Sequence, residues 1–192
     1  MMYSPILKNG IRILRPGECK MLMAAIPKPE YKVMFQALLY SGMRYVETQR
    51  LKKHPEWFDG SFIRISYGEG HLKEKSRFKE RWVRLNPVGR MAIQSYLMIT
   101  KTLPGNATWR ENMIRWAEEA RILPDGLCAK CTRKTYESWL VYYYPNRFIQ
   151  VLESQGHTEP IAMKHYLGLP FNQVDKLEME DFVAGWIDKD SK

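Results

Sequence analysis

The sequence predicts an α+β fold, mainly α, in which helices surround one small antiparallel β-hairpin. Most regularly patterned stretches repeat their apolar residues at helical spacing, and only one pair of neighbouring stretches has the composition of β-strands. The chain has 192 residues, of which 45% are hydrophobic, and this suits one domain with a substantial core. We therefore expect a single domain over residues 1–192.

The predicted helices follow from apolar periodicity combined with start and stop signals. Asn86 stands before a proline as the N-cap of a helix that continues to about Thr100. Thr108 followed by Glu111 matches a capping box, so a helix over 108–122 is expected to start there. The other predicted helices span 17–26, 29–42 (ending at Gly42), 45–51, 131–143, 146–154 and 174–188, with a short helix around Tyr166.

The predicted hairpin joins the strands "SFIRISYGEG" (61–70) and "KERWVRL" (79–85), which are rich in β-branched and aromatic residues. The segment between the two strands is strongly basic. It carries Lys73 and Lys75 together with Arg77 and Lys79, and is expected to form a long cationic loop.

The charge balance favours a polyanionic partner, most simply nucleic acid. There are 30 Lys and Arg against 21 Asp and Glu, a net charge of +9, and basic side chains bind phosphates with release of counterions. Ribosomal proteins, nucleases and phosphate-binding enzymes share this property, so charge alone does not select among them. The N-terminus lacks a signal-peptide core, and no apolar run approaches the roughly 18 residues of a membrane span. We therefore expect a soluble, intracellular protein.

The three cysteines predict free thiols rather than disulfides or a metal centre. Cys19, Cys128 and Cys131 make an odd number, as in proteins of a reducing compartment. Cys128 and Cys131 form C-A-K-C, but a structural zinc site needs two further ligands. The histidines are His54, His71, His157 and His165. None of them forms a companion pair at suitable spacing, so no metal is expected.

Three further segments carry candidate site residues. In "YSGMRYVETQRL", Glu47 follows Arg44 by three residues, a spacing at which its carboxylate can hold the guanidinium. In "KCTRKTYESWLV", Lys130 and Arg133 fall on one face at the start of a helix. In "QGHTEPIAMKHYLGLP", a Gly-His pair ending in His157 precedes Tyr166, one of eleven tyrosines, by nine residues.

These segments and the hairpin together resemble the catalytic domain of the tyrosine recombinases, or phage-type integrases. The family's first box is roughly T-G-x-R-x-x-E, and its hairpin ends K-E-R-x-V-P-L. Its second box is H-x-L-R-H-T-F, and its third is L-G-H followed nine residues later by the nucleophilic tyrosine. Here the four read S-G-M-R-Y-V-E, K-E-R-W-V-R-L, K-C-T-R-K-T-Y and Q-G-H. The order and spacing agree over residues 17–170, and the resemblance implies the tyrosine-recombinase catalytic fold.

The chain also departs from the family pattern. Lys130 and Lys134 stand where most members have histidines, and the resulting K-x-x-R box is most similar to the fusellovirus-type integrases of archaeal viruses and plasmids. The family's N-terminal core-binding domain is absent from this sequence. We therefore expect either a catalytic fragment or an unusually short protein.

The resemblance implies a role for each candidate residue. Arg44 and Arg133 would clamp the non-bridging oxygens of the scissile phosphate, with Glu47 supporting Arg44. Tyr166 would attack the phosphorus to form a 3′-phosphotyrosyl bond and release a 5′-hydroxyl. Because this bond conserves the phosphodiester energy, no ATP, metal or other cofactor is expected.

A lysine of the hairpin loop would protonate the departing 5′-oxygen. The resemblance selects Lys75 or Lys73, and makes Lys79 less suitable. Arg77, Lys79 and Lys134 are expected to contact DNA phosphates. Lys130 would donate to the phosphate in place of histidine, and His157 would hydrogen-bond a non-bridging oxygen. His165 is expected to be structural.

The resemblance therefore implies site-specific recombination or integration of a viral genome through a Holliday junction. The partners would be double-stranded DNA attachment sites and three further copies of the chain on DNA, the free protein being a monomer or weak oligomer acting on host DNA in the cytoplasm. The last helix, about 175–188, has an apolar face and is expected to pack on a neighbouring protomer. That face comprises Leu177, Phe182, Val183 and Trp186. Two alternatives stay open: a type IB topoisomerase-like relaxing activity, and a non-catalytic DNA-binding protein with this fold.

Overall fold

Helices form most of the described part of the chain, and two short antiparallel strand pairs complete that part. The computed structural model describes residues 4–66, 80–157 and 168–187. The strands in this part of the chain are β1 (Ile6–Lys8), β2 (Ile11–Ile13), β3 (Phe62–Ser66) and β4 (Glu80–Arg84). The helices are α1 (Pro16–Ala25), α2 (Pro29–Ser41), α3 (Tyr45–Leu51), α4 (Pro87–Met98), α5 (Asn106–Glu119), α6 (Cys131–Tyr143), α7 (Phe148–Gln155) and α8 (Gln173–Val183). Within these residues, no helix combines the length and apolar character needed to cross a membrane.

The predicted hairpin is confirmed in its described part, β3 and β4. Ile63 pairs with Val83 and Ile65 pairs with Arg81, and all four side chains lie on the buried face. Trp82 lies on the other face and is half exposed. Strand alternation therefore turns one arginine, Arg81, into the protein interior.

The expectation of only one hairpin is wrong, because β1 and β2 form a second one. The two strands pair from Ile6↔Ile13 to Lys8↔Ile11, and Asn9 and Gly10 both have positive φ at the turn between them. An Asn-Gly pair with this backbone is the usual two-residue hairpin turn. Strands of three residues are too short to show an alternating pattern in the sequence.

The β1–β2 hairpin and Leu14, which directly follows it, fix the position of α6. The backbone N–H of Leu14 donates to Thr135 Oγ1 over 3.0 Å, and Trp139 Nε1 donates to the carbonyl oxygen of Leu14 over 3.0 Å. Both side chains belong to α6 and both are buried. The start of α6, which carries Lys130 and Arg133, is thereby tied to the N-terminal part of the chain.

Two of the predicted helix ends are confirmed by their caps. α2 ends at Gly42, which has the left-handed conformation with φ of 60°. α4 starts after Asn86, whose Oδ1 accepts from the N–H of Gly89 over 2.8 Å. Asn86 Nδ2 also donates to the carbonyl oxygen of Phe182 over 2.8 Å, which joins the start of α4 to the end of α8.

The capping box predicted at Thr108 and Glu111 is wrong. α5 starts at Asn106, with Gly105 in extended conformation as its N-cap. No residue between 106 and 108 disfavours a helix, and each added residue gains a backbone hydrogen bond, so the helix extends back to the Pro104-Gly105 break. Trp109, the first residue to donate to Gly105, is fully buried.

α8 is docked on the core of its own chain. Phe182 lies against Trp139 with ring centroids 4.7 Å apart, and Val183 and Trp186 are also buried. Leu177, which was assigned to the same apolar face, is 63% exposed and does not share it. The packing of this helix on a neighbouring protomer stays a prediction.

Three consecutive tyrosines, an aromatic run at the C-terminal end of α6, pack against the core. Tyr142, Tyr143 and Tyr144 are half-buried against the core. The hydroxyl of Tyr144 donates to the carbonyl oxygen of Val183 over 2.9 Å, and that of Tyr142 donates to Phe171 over 3.2 Å. These bonds tie α6 to the segment around α8.

Candidate active site

Five predicted site residues from three separate segments line one cavity of about 680 Å³. Arg44 precedes α3, His157 follows α7, and Lys130, Arg133 and Lys134 lie at the start of α6. Small and apolar side chains form much of the remaining wall, among them Ile11, Val46, Ala107 and Ala129. The cavity is therefore a cationic site with low-polarity walls, where the attraction between charges is stronger than in open water.

Arg44 is held as its spacing to Glu47 predicts. Its Nη1 donates to Glu47 Oε1 over 2.8 Å, and its backbone N–H donates to Glu47 Oε2 over 2.7 Å. The Glu47 carboxylate is buried, whereas 42% of the Arg44 side chain is exposed. The guanidinium is thus fixed from the protein side and presents its other side to the cavity.

A second arginine, Arg81 of β4, shares the same carboxylate. Arg81 Nη2 donates to Glu47 Oε2, and Arg81 Nη1 donates to the carbonyl oxygen of Ser154 over 2.9 Å. The Arg81 side chain is buried, with 3% of its surface exposed. Sequence reasoning used the K-E-R stretch only to align the hairpin, although an arginine on the inward side of a strand is itself a signal of a buried partner.

Arg133 is buried at the base of the cavity and is bonded to the backbone of two neighbouring segments. Nη1 donates to the carbonyl oxygen of Gly42 over 2.7 Å and reaches Gln155 Oε1 at 3.3 Å. Nη2 donates to the carbonyl oxygen of Gln155 and lies 2.7 Å from His157 Nε2. Burial lowers the pKa of Arg133 from its ordinary value, while Glu137 acts in the opposite direction.

Glu137 is a buried member of the site that the motifs did not identify. Its Oε2 lies 4.0 Å from Arg133 Nε and its Oε1 lies 3.2 Å from His157 Nε2. A proton on Nε2 suits the contact with Glu137, whereas the contact with Arg133 needs Nε2 to accept. The ring can therefore satisfy only one of these neighbours at a time. The i,i+4 spacing between Arg133 and Glu137 is the signal that could have found this carboxylate.

The two lysines at the start of α6 differ in their surroundings. Lys130 is the residue before the first turn, and its carbonyl oxygen accepts from the N–H of Lys134 over 3.0 Å. Burial lowers the pKa of Lys134, and Glu137 opposes that shift. Lys134 therefore gives up a proton more readily than an exposed lysine does.

The turn that carries Arg44 is packed tightly against the end of α7. A Cβ atom on Gly42 would lie 2.6 Å from Gln155 Oε1, and the positive φ of Gly42 already disfavours a side chain. Arg133, Gly42 and Gln155 thus interlock, and each of the three segments that supply the cavity touches another. Steric contact with Gln155 therefore explains why a glycine stands in the S-G-M-R stretch.

Several predicted residues lie outside the described part of the chain. The nucleophile candidate Tyr166 and its neighbour His165 fall in 158–167, and Lys73, Lys75, Arg77 and Lys79 fall in 67–79. The roles assigned to them stay predictions.

Two cavity residues on α5 were not anticipated. Arg110 is exposed and lines the cavity together with Asn106, one helical turn before it. No motif in the sequence singles them out, because their proximity to Arg44 depends on how α5 packs. Arg110 adds another cation beside those from α3 and α6.

The described residues contain no group of three or more His, Cys, Asp or Glu side chains that could hold a metal ion. All three cysteines are free thiols. Cys19 and Cys131 are buried, and burial raises the pKa of both. Cys128 is half-buried in the cavity wall.

Solved structures of recombinases and an integrase share this fold. The crystal structure of XerA recombinase superposes with a TM-score of 0.61 at 19% identity, covering 93% of this chain and 66% of that one. The Tn1549 transposon integrase in complex with transposon right-end DNA gives 0.62 at 15% identity, covering 93% and 68%. XerH site-specific recombinase, bound to a palindromic difH substrate in a post-cleavage complex, gives 0.59 at 18% identity, covering 93% and 54%.

The fold is that of the tyrosine-recombinase catalytic domain, and the predicted fold class is confirmed. No protein-family model and no curated protein sequence matches the chain. The chain spans between about half and two thirds of the length of these three structures. At identities below 20% the likeness is one of fold, so activity has to be argued from the site.

Proposed function

We propose that this protein is a tyrosine-type site-specific DNA recombinase or integrase that cleaves and rejoins DNA through a 3′-phosphotyrosyl intermediate. One observation carries the proposal. Arg44, Lys130, Arg133 and His157, selected from separate boxes of the sequence, line the same cavity of a fold shared with recombinases. The neighbours captured with DNA, the Tn1549 integrase and XerH, support duplex DNA as the substrate.

The chemistry is an in-line displacement at phosphorus. The Tyr166 hydroxyl loses its proton to water as its oxygen forms the new bond to phosphorus, and the bond to the 5′-oxygen breaks. Lys75 or Lys73 of the hairpin loop supplies the proton that the leaving 5′-oxygen takes. Arg44 and Arg133 neutralise the charge that builds on the non-bridging oxygens. The reverse attack by a 5′-hydroxyl rejoins the strand, so cleavage and rejoining together need no external energy source.

Phosphate binding requires an exchange of partners at Arg133. Its Nη2 faces His157 Nε2 at 2.7 Å. A non-bridging oxygen that enters between these two nitrogens accepts from both of them. His157 then donates through Nε2 to the phosphate in place of Glu137 Oε1, which lies 3.2 Å from the same nitrogen and favours a proton there. Lys130, at the cavity wall, donates to the same phosphate in the role that histidine has in most members.

The finer points of the proposal follow from the resemblance. The K-x-x-R box supports a relationship to the integrases of archaeal viruses and plasmids. Recombination between two attachment sites requires four protomers on DNA and a Holliday junction. Residues 1–192 act as one catalytic domain, and α8 packs on a neighbouring protomer in that assembly.

The decisive experiment is covalent trapping on nicked duplexes of randomised sequence, which does not require the attachment site to be known. A cut beside the nick releases a short oligonucleotide and traps the protein on the 3′-phosphate. We expect a denaturant-resistant adduct with the wild type and none with Tyr166→Phe. Tyr143→Phe, which changes a half-buried tyrosine of the aromatic run, is the matched control and should form the adduct normally.

The outcomes separate the alternatives. Absence of a Tyr166-dependent adduct across the pool, while the protein still binds these duplexes, overturns the proposal in favour of a non-catalytic DNA-binding protein. An adduct accompanied by relaxation of supercoiled plasmid, without strand exchange between two trapped sequences, overturns recombination in favour of a topoisomerase.

A further inference from the structure

We infer that Arg81 is a positioning residue that sets Arg44 and the Gly156-His157 turn in register with the hairpin. This inference rests on the proposed function, since positioning matters only if Arg44 and His157 act on a phosphate. Arg81 belongs to β4 and does not line the cavity. It acts through the residues that it holds.

The first connection runs to Arg44. Glu47 Oε2 accepts from Arg81 Nη2 and from the backbone N–H of Arg44, while Glu47 Oε1 accepts from Arg44 Nη1. The carboxylate that orients the Arg44 guanidinium is therefore itself oriented by Arg81. A shift of β4 moves Glu47, and Arg44 moves with it.

The second connection runs to the turn before His157. Arg81 Nη1 donates to the carbonyl oxygen of Ser154 over 2.9 Å, near the C-terminal end of α7. Gly156 lies directly on the Arg81 side chain, because a Cβ atom there would come within 2.6 Å of Arg81 Cδ. Arg84, on the same strand, adds a backbone N–H bond of 2.9 Å to Ser154 Oγ.

The energetics favour a positioning role over a purely structural one. Arg81 and Arg44 share one buried carboxylate, and Arg81 Nε has no hydrogen-bond partner among the residues that the structure describes. A buried charge with incomplete pairing costs free energy that a well-packed apolar side chain of similar volume avoids. What an apolar side chain cannot do is direct two separate acceptors with one planar fork.

The loop that contains Lys73 and Lys75 comes directly before the strand that carries Arg81 in the sequence. Arg81 therefore connects Arg44 and the turn before His157 to the strand that directly follows that loop in the sequence. Arg44 and His157 are correctly oriented only when β4 packs against α7 and α3. Arg81 thus couples the seating of the hairpin to the alignment of the reacting groups.

The test compares Arg81→Lys and Arg81→Met with a matched control. Lysine keeps the charge but has one donor nitrogen, which cannot occupy both positions of the guanidinium fork, and methionine fills the volume without a charge. Arg12→Lys is the control, since Arg12 is also a buried arginine paired with a buried glutamate, Glu18, and its guanidinium has no contact with Glu47 or Ser154. The substrate is the pool of nicked duplexes that traps the wild type.

At saturating DNA we expect adduct formation by both Arg81 variants to slow by about 100-fold, the size of effect that a misplacement of about 1 Å produces. The dissociation constant for the duplexes should change less than about threefold, because Arg81 does not contact DNA. Arg12→Lys should form the adduct at the wild-type rate. A wild-type rate in Arg81→Met, or an equal slowing in Arg12→Lys, overturns the inference.

A second measurement does not depend on catalysis. Hydrogen exchange at the amides of Glu47, Gly156 and His157 should be faster in Arg81→Lys than in the wild type or Arg12→Lys. If the wild type forms no adduct, the proposed function fails and these amides alone decide whether Arg81 positions the two segments. Unchanged exchange at all three amides overturns the positioning itself.

Discussion

Glu47 holds Arg44 with both of its carboxylate oxygens, one on the guanidinium at 2.8 Å and the other on the backbone N–H at 2.7 Å. The same residue also accepts from Arg81, so one buried carboxylate compensates two arginines. Arg44 is thereby fixed at its backbone and at its tip, which few exposed arginines are. Substitution of this carboxylate therefore tests two effects that can be measured separately, one on stability through Arg81 and one on function through Arg44.

Glu47→Gln should destabilise the protein by about 3–5 kcal/mol, because it leaves the buried Arg81 charge without its partner. Urea unfolding checks this value. Glu30→Gln is the control, since Glu30 also pairs with a cation, Lys101, but on the surface; it should leave the unfolding midpoint unchanged. Equal effects of the two substitutions would contradict the view that Glu47 compensates the buried charge of Arg81.

Glu137→Gln should likewise lower the free energy of unfolding by about 3–5 kcal/mol, because Glu137 is the buried carboxylate beside Arg133 and His157. It should also slow adduct formation, since the carboxylate that favours a proton on His157 Nε2 is lost. Glu118→Gln, on the exposed face of α5, serves as the control. Wild-type stability in Glu137→Gln would show that Arg133 is compensated elsewhere.

Gly42→Ala should destabilise the protein by about 1–3 kcal/mol and displace Gln155, because φ is 60° and the new Cβ would meet Gln155 Oε1 at 2.6 Å. Gly60→Ala is a matched control for backbone strain. Gly60 also has positive φ, 96°, but no atom lies within 4 Å of its Cβ position. Only Gly42→Ala should slow adduct formation, and equal slowing in both would count against the interlock with Arg133.

Alkaline pH should unfold the protein through its buried tyrosines. Burial raises the pKa of Tyr40 to about 12 and raises those of Tyr45 and Tyr96 further. An unfolded tyrosine ionises near pH 10, so these groups stabilise the fold fully below about pH 10. Their contribution is lost between about pH 10 and their folded pKa, because only the unfolded chain releases the protons. Tyrosinate absorbance should rise together with loss of helical circular dichroism, and Tyr40→Phe should make stability less steep in this range. Tyrosinate formation at a pH well below that of unfolding would contradict the prediction that these tyrosines ionise only in the unfolded chain.

Arg110→Ala should weaken binding to duplex DNA across all sequences and reduce the slope of log affinity against log salt by about 1, as expected for a lost phosphate contact. Arg110 lines the cavity, whereas Arg115, further along the same helix, is exposed but does not. Arg115→Ala is therefore the control. An identical slope for Arg110→Ala and the wild type would remove Arg110 from the DNA interface.

The sequence predicts those parts of the molecule whose signals are local. Gly42, Asn86 and the Arg44–Glu47 contact depend on residues within four positions of each other, and all three are confirmed. The β3–β4 pairing follows from composition and alternation. The start of α5 differs from the prediction because the helix extends past the capping-box pattern, each added residue gaining a backbone hydrogen bond. The β1–β2 hairpin is not predicted because its strands are too short to show alternation.

Only the site residues that belong to the family's sequence boxes could be predicted. Arg44, Lys130, Arg133 and His157 could be grouped because a resemblance links their separate positions. Arg81 could not be grouped with them in the same way, since its partner Glu47 is 34 residues away along the chain. The spacing of Glu137 to Arg133 is local, but its contact with His157, 20 residues further on, is not. Long-range burial of charge is decided by packing, which no local pattern encodes.

In the described structure the two terminal nitrogens of Arg133 contact three acceptor oxygens of the chain, and Nη2 also lies 2.7 Å from His157 Nε2. A small free anion that enters must displace one of these acceptors, and it gains about as much as it removes. A DNA phosphate brings neighbouring phosphates to other cations at the same time, so the exchange is favourable only for the polymer. We therefore expect inorganic phosphate to compete poorly with DNA for Arg133.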